Sequence, residues 1–452
     1  MQHSTSRAGR TSRALIAGVA SAAMIGTLAA CGGGSATSGD SGASGATGGS
    51  EVSGSLNILV SSAAASDAAF NAVTDAFKAK YPDVDAKVTS VPNDSYPATK
   101  SAQLSAGSVD IFVVKNFVEA PDYAADSTSD DVLMAKAGGL VDLTDQPFMK
   151  HYTPSVLQAQ VVDGKQYAVP TGLSYSTGVY YNKQIFSDNG LEAPTTWTEL
   201  EKVMDTLKGK GVTPFGIGGK DTWPAGLVML GNVASSFPTL EDKQQLAEDL
   251  WTQKTTLTDD ATKSVLTRTQ KVFENAQEHF SGAGYDDMPA AFARGDFAML
   301  ADGTWNQPTI DKAVNGAFEY GYIPFPGSDT AADNSLLNGK IELQLSVASN
   351  SKNQDAALAW LDFFSDPANY KTFVDGAGYS PAQPNIESSD FLNSISEYTK
   401  TYQPAWDQVW IANNKAGEDA VYPFNYPALA PLGTQSADEA AQAAQTAWAA
   451  GF

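Results

Sequence analysis

Cysteine is almost absent from this chain: Cys31 is the only one in 452 residues, so no intramolecular disulfide can form and stability has to come from core packing. Arginine is nearly as scarce. Beyond Arg7, Arg10 and Arg13 only Arg268 and Arg294 remain, which disfavours an anionic ligand, because phosphate and carboxylate sites favour the bidentate guanidinium fork. Basic charge is short overall, with 28 Lys and Arg against 51 Asp and Glu and a net charge of −23. Nucleic acid is therefore set aside as a partner, since a phosphate backbone calls for a basic surface. Histidine is short too: past the leader only His151 and His279 occur, without helical pairing, so no metal site is expected from them. Gly216-Ile217-Gly218-Gly219-Lys220 lacks the spacing of a nucleotide-binding loop, and no cofactor is expected. Asp122, Asp126, Asp130 and Asp131 miss the calcium-loop spacing and are expected to form a solvated surface insertion. After residue 31 no apolar run approaches the roughly 20 residues that cross a bilayer.

What is present begins with the three leader arginines, then the uncharged stretch Ala14 to Ala30, then Cys31-Gly32-Gly33-Gly34. A basic start, a short apolar segment and small residues at the cut are the layout of a secretory signal. Leu28-Ala29-Ala30-Cys31 resembles a bacterial lipobox. That resemblance implies that residues 1–30 are a lipoprotein signal peptide and that Cys31 is the lipidation site and first mature residue. It also implies anchoring at the extracellular face of the cytoplasmic membrane. A diacyl group meets the two-chain requirement for stable anchoring, at about 0.8 kcal/mol per buried CH₂. Residues 31–54, nearly all Gly, Ser, Ala and Thr, are expected to be a flexible tether with a root-mean-square reach of roughly 25 Å. With the leader arginines removed, 25 basic residues face 51 acidic ones, a net charge of −26.

The remaining body of roughly 400 residues exceeds the size at which single cores stop growing, so two lobes are expected. Leu56 to Val60 has the composition of a buried strand, followed by a helix with Phe70, Val73 and Phe77 on one face and a stop at Pro82. Ile111 to Val114 is a second buried strand, after which Lys115-Asn116-Phe117 turn into a polar loop, the place where open α/β sheets present ligand groups. Gly178 to Lys183 and Phe297 to Leu300 are expected strands. Thr196-Trp197-Thr198-Glu199 is a capping box that starts a helix. Helices are expected over 241–280 and in the C-terminal third, and an apolar alternation runs through Leu343, Leu345 and Val347.

Several separated segments together are similar to the extracellular solute-binding proteins of bacterial carbohydrate ABC importers, family 1, the maltose-binding-protein-like group. They are Gly139 to Leu143, Asp163-Gly164-Lys165 through Pro170, Gly178 to Lys183, and Pro194 through Glu199. Farther along come Phe292 to Met299 with Gly303-Thr304-Trp305, Pro324 to Gly327, Ser346 to Ser349 with Ala356 to Leu358, and Ala437 to Trp448. The resemblance implies an α/β, two-lobed periplasmic-binding-protein-like fold of type II, each lobe a mixed sheet flanked by helices, with the ligand cleft between the lobes. Lobe 1 would comprise 55–171 and 326–376, and lobe 2 would comprise 172–325 and 377–452. Crossings are placed near Pro170 to Ser174, Ile323 to Pro326 and Gly376 to Pro381. The implied function is capture of oligosaccharides by cleft closure and delivery to the transmembrane subunits of an ABC permease, by a monomer with no enzymatic activity.

A sugar is amphipathic, so aromatic shelves and a few placed polar groups suit it. Trp305 is the first candidate, matching the family tryptophan that follows a glycine after a second-lobe strand. Trp223, Tyr175, Asn116 and Phe117 follow, and Ser62, Asp302, Glu342, Trp410 and Tyr422 complete the ligand-binding set. Two rival functions remain open at this point. A cationic solute such as a polyamine would use unpaired acids in place of aromatic shelves. A secreted glycoside hydrolase would need two carboxylates about 5 to 9.5 Å apart, for which Asp302 and Glu342 are the available pair.

Overall fold

The computed structural model describes residues 52–420 and 424–452. Cys31, the leader and most of the tether lie outside these residues, as does Tyr422. Three sheets organise the described residues. The first contains β1 (Gly54–Ser61), β2 (Val84–Val91), β3 (Ile111–Val114) and β10 (Gln344–Val347) in the order β10-β3-β1-β2, with β10 antiparallel and the rest parallel. Leu56, Ile58, Leu59, Val60 and all of β3 are buried, as their uninterrupted apolar runs require. Helix Ala64–Lys80 ends where Tyr81 and Pro82 break it and buries Phe70, Val73 and Phe77. Phe70 packs against Trp360, Phe364 and Phe373 of helices Gln354–Ser365 and Pro367–Ala377 at ring separations of 6.5, 6.4 and 4.6 Å, which ties residues near the two ends of the chain into one core.

The second sheet holds β5 (Gly178–Asn182), β6 (Phe215–Gly216), β7 (Met299–Ala301) and β8 (Tyr320–Pro324) in the order β6-β7-β5-β8. β5 is antiparallel to both neighbours, and β6 is parallel to β7. Around it stand helices Trp197–Gly209, Trp223–Ser236, Leu240–Trp251, Asp260–Phe273 and Ala437–Ala449. The expected strand over Phe297 to Leu300 begins two residues later, because Ala298 N–H bonds to Thr213 O ahead of the ladder.

Between the two lies a short joining sheet, β4 (Gly172–Tyr175), β9 (Asn338–Glu342) and β11 (Gln403–Pro404), in the order β11-β9-β4. Ser380 exchanges both backbone bonds with Leu173 and adds a further passage at the same place. The passage placed at Ile323 to Pro326 falls instead on β8 and its end. Gly327 bonds Ser235 and Asn334 bonds Thr195, so the segment after β8 remains packed on elements beside the second sheet. This is a two-lobed mixed α/β architecture.

Of the aspartates of 122–131, Asp122, Asp126 and Asp130 are exposed as expected, and Asp131 departs from that expectation. Asp131 is buried and takes the Lys100 ammonium on both oxygens at 2.5 and 2.6 Å, together with the Lys115 N–H at 2.7 Å. The turn Asp122–Ser127 reaches to the second lobe: the Tyr123 ring lies 6.2 Å from Trp251, Ser127 Oγ accepts the Asn414 N–H at 3.2 Å, and Asp126 meets Lys415 at 3.3 Å. A second unusual contact comes from Lys243, which is fully buried and donates to Asn338 Oδ1 in β9 at 2.9 Å and to Phe237 O at 3.3 Å. Burial pushes its pKa down to about 8.

Candidate functional site

A pocket of about 190 Å³ lies where the loop after β1 faces the segment after β7. One wall is Ser62 to Ala65 with Asp67; the other is Tyr285, Asp286, Pro289, Trp305, Asn306 and Thr309. The first wall is the entry turn of helix Ala64–Lys80. Ser62 donates to Asp67 Oδ2 at 2.5 Å, which leaves Asp67 Oδ1 buried with no hydrogen-bond partner among the described residues. An acceptor left in that state at a pocket wall is suited to a hydroxyl donor.

The second wall is aromatic. Trp305, 9% exposed, sits in the turn Thr304–Asn306 directly after β7, and its Nε1 donates to Tyr285 Oη at 2.8 Å. Trp223, at the start of helix Trp223–Ser236, lies 4.5 Å from the Tyr285 ring and 6.4 Å from the Trp305 ring, so the three form one patch. Gly303 permits this arrangement: a Cβ there would stand 2.1 Å from the Trp305 indole. A wider groove of about 460 Å³ between helices Trp197–Gly209 and Asp260–Phe273 has no such patch, and its one aromatic, Trp197, is covered by the Arg268 guanidinium at 5.6 Å.

Of the expected set, Trp305 and Ser62 line the pocket, and Trp223 packs beside it against Tyr285 and Trp305. Asp302 lies directly behind them and is fully buried. Its Oδ1 accepts the Tyr285 hydroxyl at 3.0 Å and the Gly303 N–H at 2.7 Å, and its Oδ2 accepts Asn306 Nδ2 at 2.6 Å. Burial raises its pKa to about 7 against those three donors. Glu342 is also occupied, with Ser174 Oγ at 2.5 Å and Lys340 Nζ at 3.4 Å on Oε1. Tyr175 is buried in β4, and Phe117, 1% exposed, packs in the core because the chain reverses inward after Asn116. Asn116 is exposed in a left-handed conformation (φ 51°), and its carbonyl accepts from Ser129. Trp410 stacks on Trp406 at 5.4 Å and meets Trp448 at 4.9 Å, in packing among the C-terminal aromatics.

Sequence reasoning missed Tyr285, Asp67 and Lys340. Lys340 lies 5.2 Å from the Trp305 ring and is held charged: burial works against it, but Glu342 and Asp407 outweigh burial and raise its pKa. Lys340 and Glu342 are two apart in one strand, and that spacing puts both side chains on one face. Lys115 at the end of β3 is lowered to about 8 by burial and by Lys340. Asp407 is raised, by burial first, with Lys340 opposing. Glu342 and Asp407 thus share one lysine.

The profile of the family described as bacterial extracellular solute-binding protein matches residues 61–371. A multiple sugar-binding protein from Streptococcus mutans is 26% identical over 355 residues, which span 78% of this chain and 81% of that protein. An ABC transporter extracellular-binding protein from Pyrococcus horikoshii is 26% identical over 341 residues, 72% of this chain and 70% of that protein. Among solved structures, a solute-binding protein in complex with raffinose aligns with a TM-score of 0.72 at 23% identity, covering 87% of this chain and 98% of that one.

Proposed function

The chain belongs to the bacterial extracellular solute-binding proteins, and from that premise we propose that it is the capture component of a carbohydrate ABC importer. It takes an oligosaccharide into the cleft between its lobes, closes on it, and hands it to the transmembrane permease subunits. The observation that carries this reading is the pairing of the Trp305, Trp223 and Tyr285 patch with Ser62 and the unpartnered Asp67 oxygen across the pocket. A pyranose presents an apolar face to the first and hydroxyls to the second. A volume of about 190 Å³ suits one sugar ring of a longer ligand. Closure is driven only by groups that touch both lobes at once, and this pocket has a wall from each.

The lobe limits follow the joining sheet, with 55–171 and 343–376 in one lobe and most of the remainder in the other. Cys31 carries the lipid anchor in this proposal, so Cys31→Ser moves the protein from the membrane fraction to the medium. Glycoside hydrolysis is not supported, because Asp302 and Glu342 are both engaged by protein donors and neither lines the pocket. A cation site would draw on Asp67 and Asp286, the two acids lining the pocket, but the aromatic wall facing Asp67 favours an uncharged sugar.

Calorimetry with raffinose and a panel of oligosaccharides tests the reading. Micromolar binding, about −8 kcal/mol, by at least one sugar is expected, and Trp305→Ala is expected to weaken it by about 2 kcal/mol or more. No heat from any sugar, or an unchanged affinity in Trp305→Ala, overturns it.

A further inference from the structure

Asp302 has only neutral partners: a phenol, a backbone amide and a side-chain amide, each a donor. A buried carboxylate with no counter-ion is costly to keep. Closing the turn after β7 does not by itself call for one, since a neutral acceptor would serve the Gly303 N–H. The carboxylate is needed because donors approach both of its oxygens, and an amide in its place would turn an NH₂ toward one of them. The bonds continue outward. Tyr285 receives the Trp305 indole N–H at 2.8 Å and gives its own hydroxyl hydrogen to Asp302, so carboxylate, phenol and indole form one directed chain.

We propose that Asp302 is a positioning residue that acts through Tyr285 to fix the angle and the mobility of the Trp305 ring on which the ligand stacks. The proposal rests on the reading of Trp305 as a sugar shelf. Asp302 itself touches no ligand. Its effect is that the ring is already ordered, so binding loses less side-chain freedom.

The surrounding groups are consistent with this role. Tyr180 from β5 donates to Gly303 O at 3.1 Å, and Tyr322 from β8 donates to the Asp302 carbonyl at 2.9 Å, so both phenols hold the backbone of the turn. Tyr285 and Asp286 lie on the segment that lines the pocket, and Lys340 stands over the Trp305 ring from β9. With donors on both carboxylate oxygens, a proton on Asp302 meets a donor at either one. Ligand affinity should therefore fall as pH drops through neutrality.

The test uses indole ¹⁵N–¹H spectra of the mature protein, with Trp305 assigned by loss of its signal in Trp305→Phe. Tyr285→Phe and Asp302→Asn are expected to speed solvent exchange of the Trp305 N–H about tenfold or more while leaving Trp223 unchanged. Calorimetry with raffinose, or with the tightest sugar of the panel, should show an affinity loss of about 5- to 30-fold in both. The wild-type affinity should weaken from pH 7.5 to 5.5, and that of Asp302→Asn should not. Unchanged exchange in both variants overturns the proposal, as does faster exchange with unchanged affinity. Should Asp302→Asn fail to fold, Tyr285→Phe, which removes one oxygen and keeps the ring, decides the matter. Should the wild-type protein bind no sugar, the functional reading falls, and indole exchange in the protein alone still decides the positioning chain.

Discussion

Lys340 holds its ammonium 5.2 Å from the centroid of the Trp305 ring, so a cation from the joining sheet caps an indole carried by the second lobe. The same ammonium is the counter-charge for Glu342 at 3.4 Å and for the nearby Asp407. Removing it leaves the buried Glu342 without its counter-charge and takes a neighbouring cation from the exposed Asp407. Lys340→Met is therefore expected to lower stability by about 1–2 kcal/mol in urea unfolding, with a discount because a third of the lysine side chain is exposed. Most of the loss should vanish in Lys340→Met/Glu342→Gln, and a full loss in the double variant would show that packing, not charge, is responsible.

Asp302 makes stability depend on pH in an unusual direction. Its folded-state pKa of about 7 lies above the ordinary 3.8, so between those values the folded chain binds more protons than the unfolded one. The carboxyl thus favours folding below about pH 4, and that contribution is lost as pH rises to about 7. Wild type should lose stability relative to Asp302→Asn across this window, on the order of 1 kcal/mol per pH unit at the steepest. Thermal unfolding of both proteins at pH 4.5, 5.5, 6.5 and 7.5 reads the slope, and parallel curves would exclude it.

Two helix starts provide a local control. Thr196 and Ser436 each accept the backbone N–H of the third helical residue, while Glu199 and Glu439 reach back to the cap. Thr196→Ala and Ser436→Ala should each cost about 1 kcal/mol in chemical denaturation without altering ligand affinity.

The elements that sequence alone made legible are those decided within a few residues. The apolar run of β1, the stop at Pro82 and the Thr196 capping box each depend on neighbours in the chain, and each stands where expected. Asp302, expected among the ligand contacts, opens a polar turn, and nothing local to it announces its burial. It is buried by Tyr180 and Tyr322, residues of two other strands that pack around it. Phe117 and Tyr175, expected at the cleft, are buried, because the tertiary core and not the local sequence decides which way they face. Trp305 could be found by resemblance; its phenol partner Tyr285 could not, because nothing local links residues 20 apart in sequence.

The contact between the turn Asp122–Ser127 and the second lobe offers a separate handle. Tyr123→Ala removes the ring that meets Trp251 and should raise the ligand dissociation rate severalfold in stopped-flow fluorescence, because it weakens a join between the lobes at no point that touches ligand. Asp126→Ala, which breaks an exposed pair with Lys415, should change stability by no more than about 0.5 kcal/mol. Equal dissociation rates in wild type and Tyr123→Ala would remove any role for this contact in retention.

The bond from Lys243 to Asn338 restricts where the molecule can flex. Bending the joining strand at Asn338 would either drag helix Leu240–Trp251 along or take from a buried ammonium the side-chain acceptor it holds. The pivot is thereby displaced toward the far end of β9, where Leu343 already adopts a left-handed backbone at φ 39°. Opening of the jaws should thus begin beside Lys340 and Glu342, so that the first movement pulls the capping cation away from the indole and loosens the grip before the gap widens.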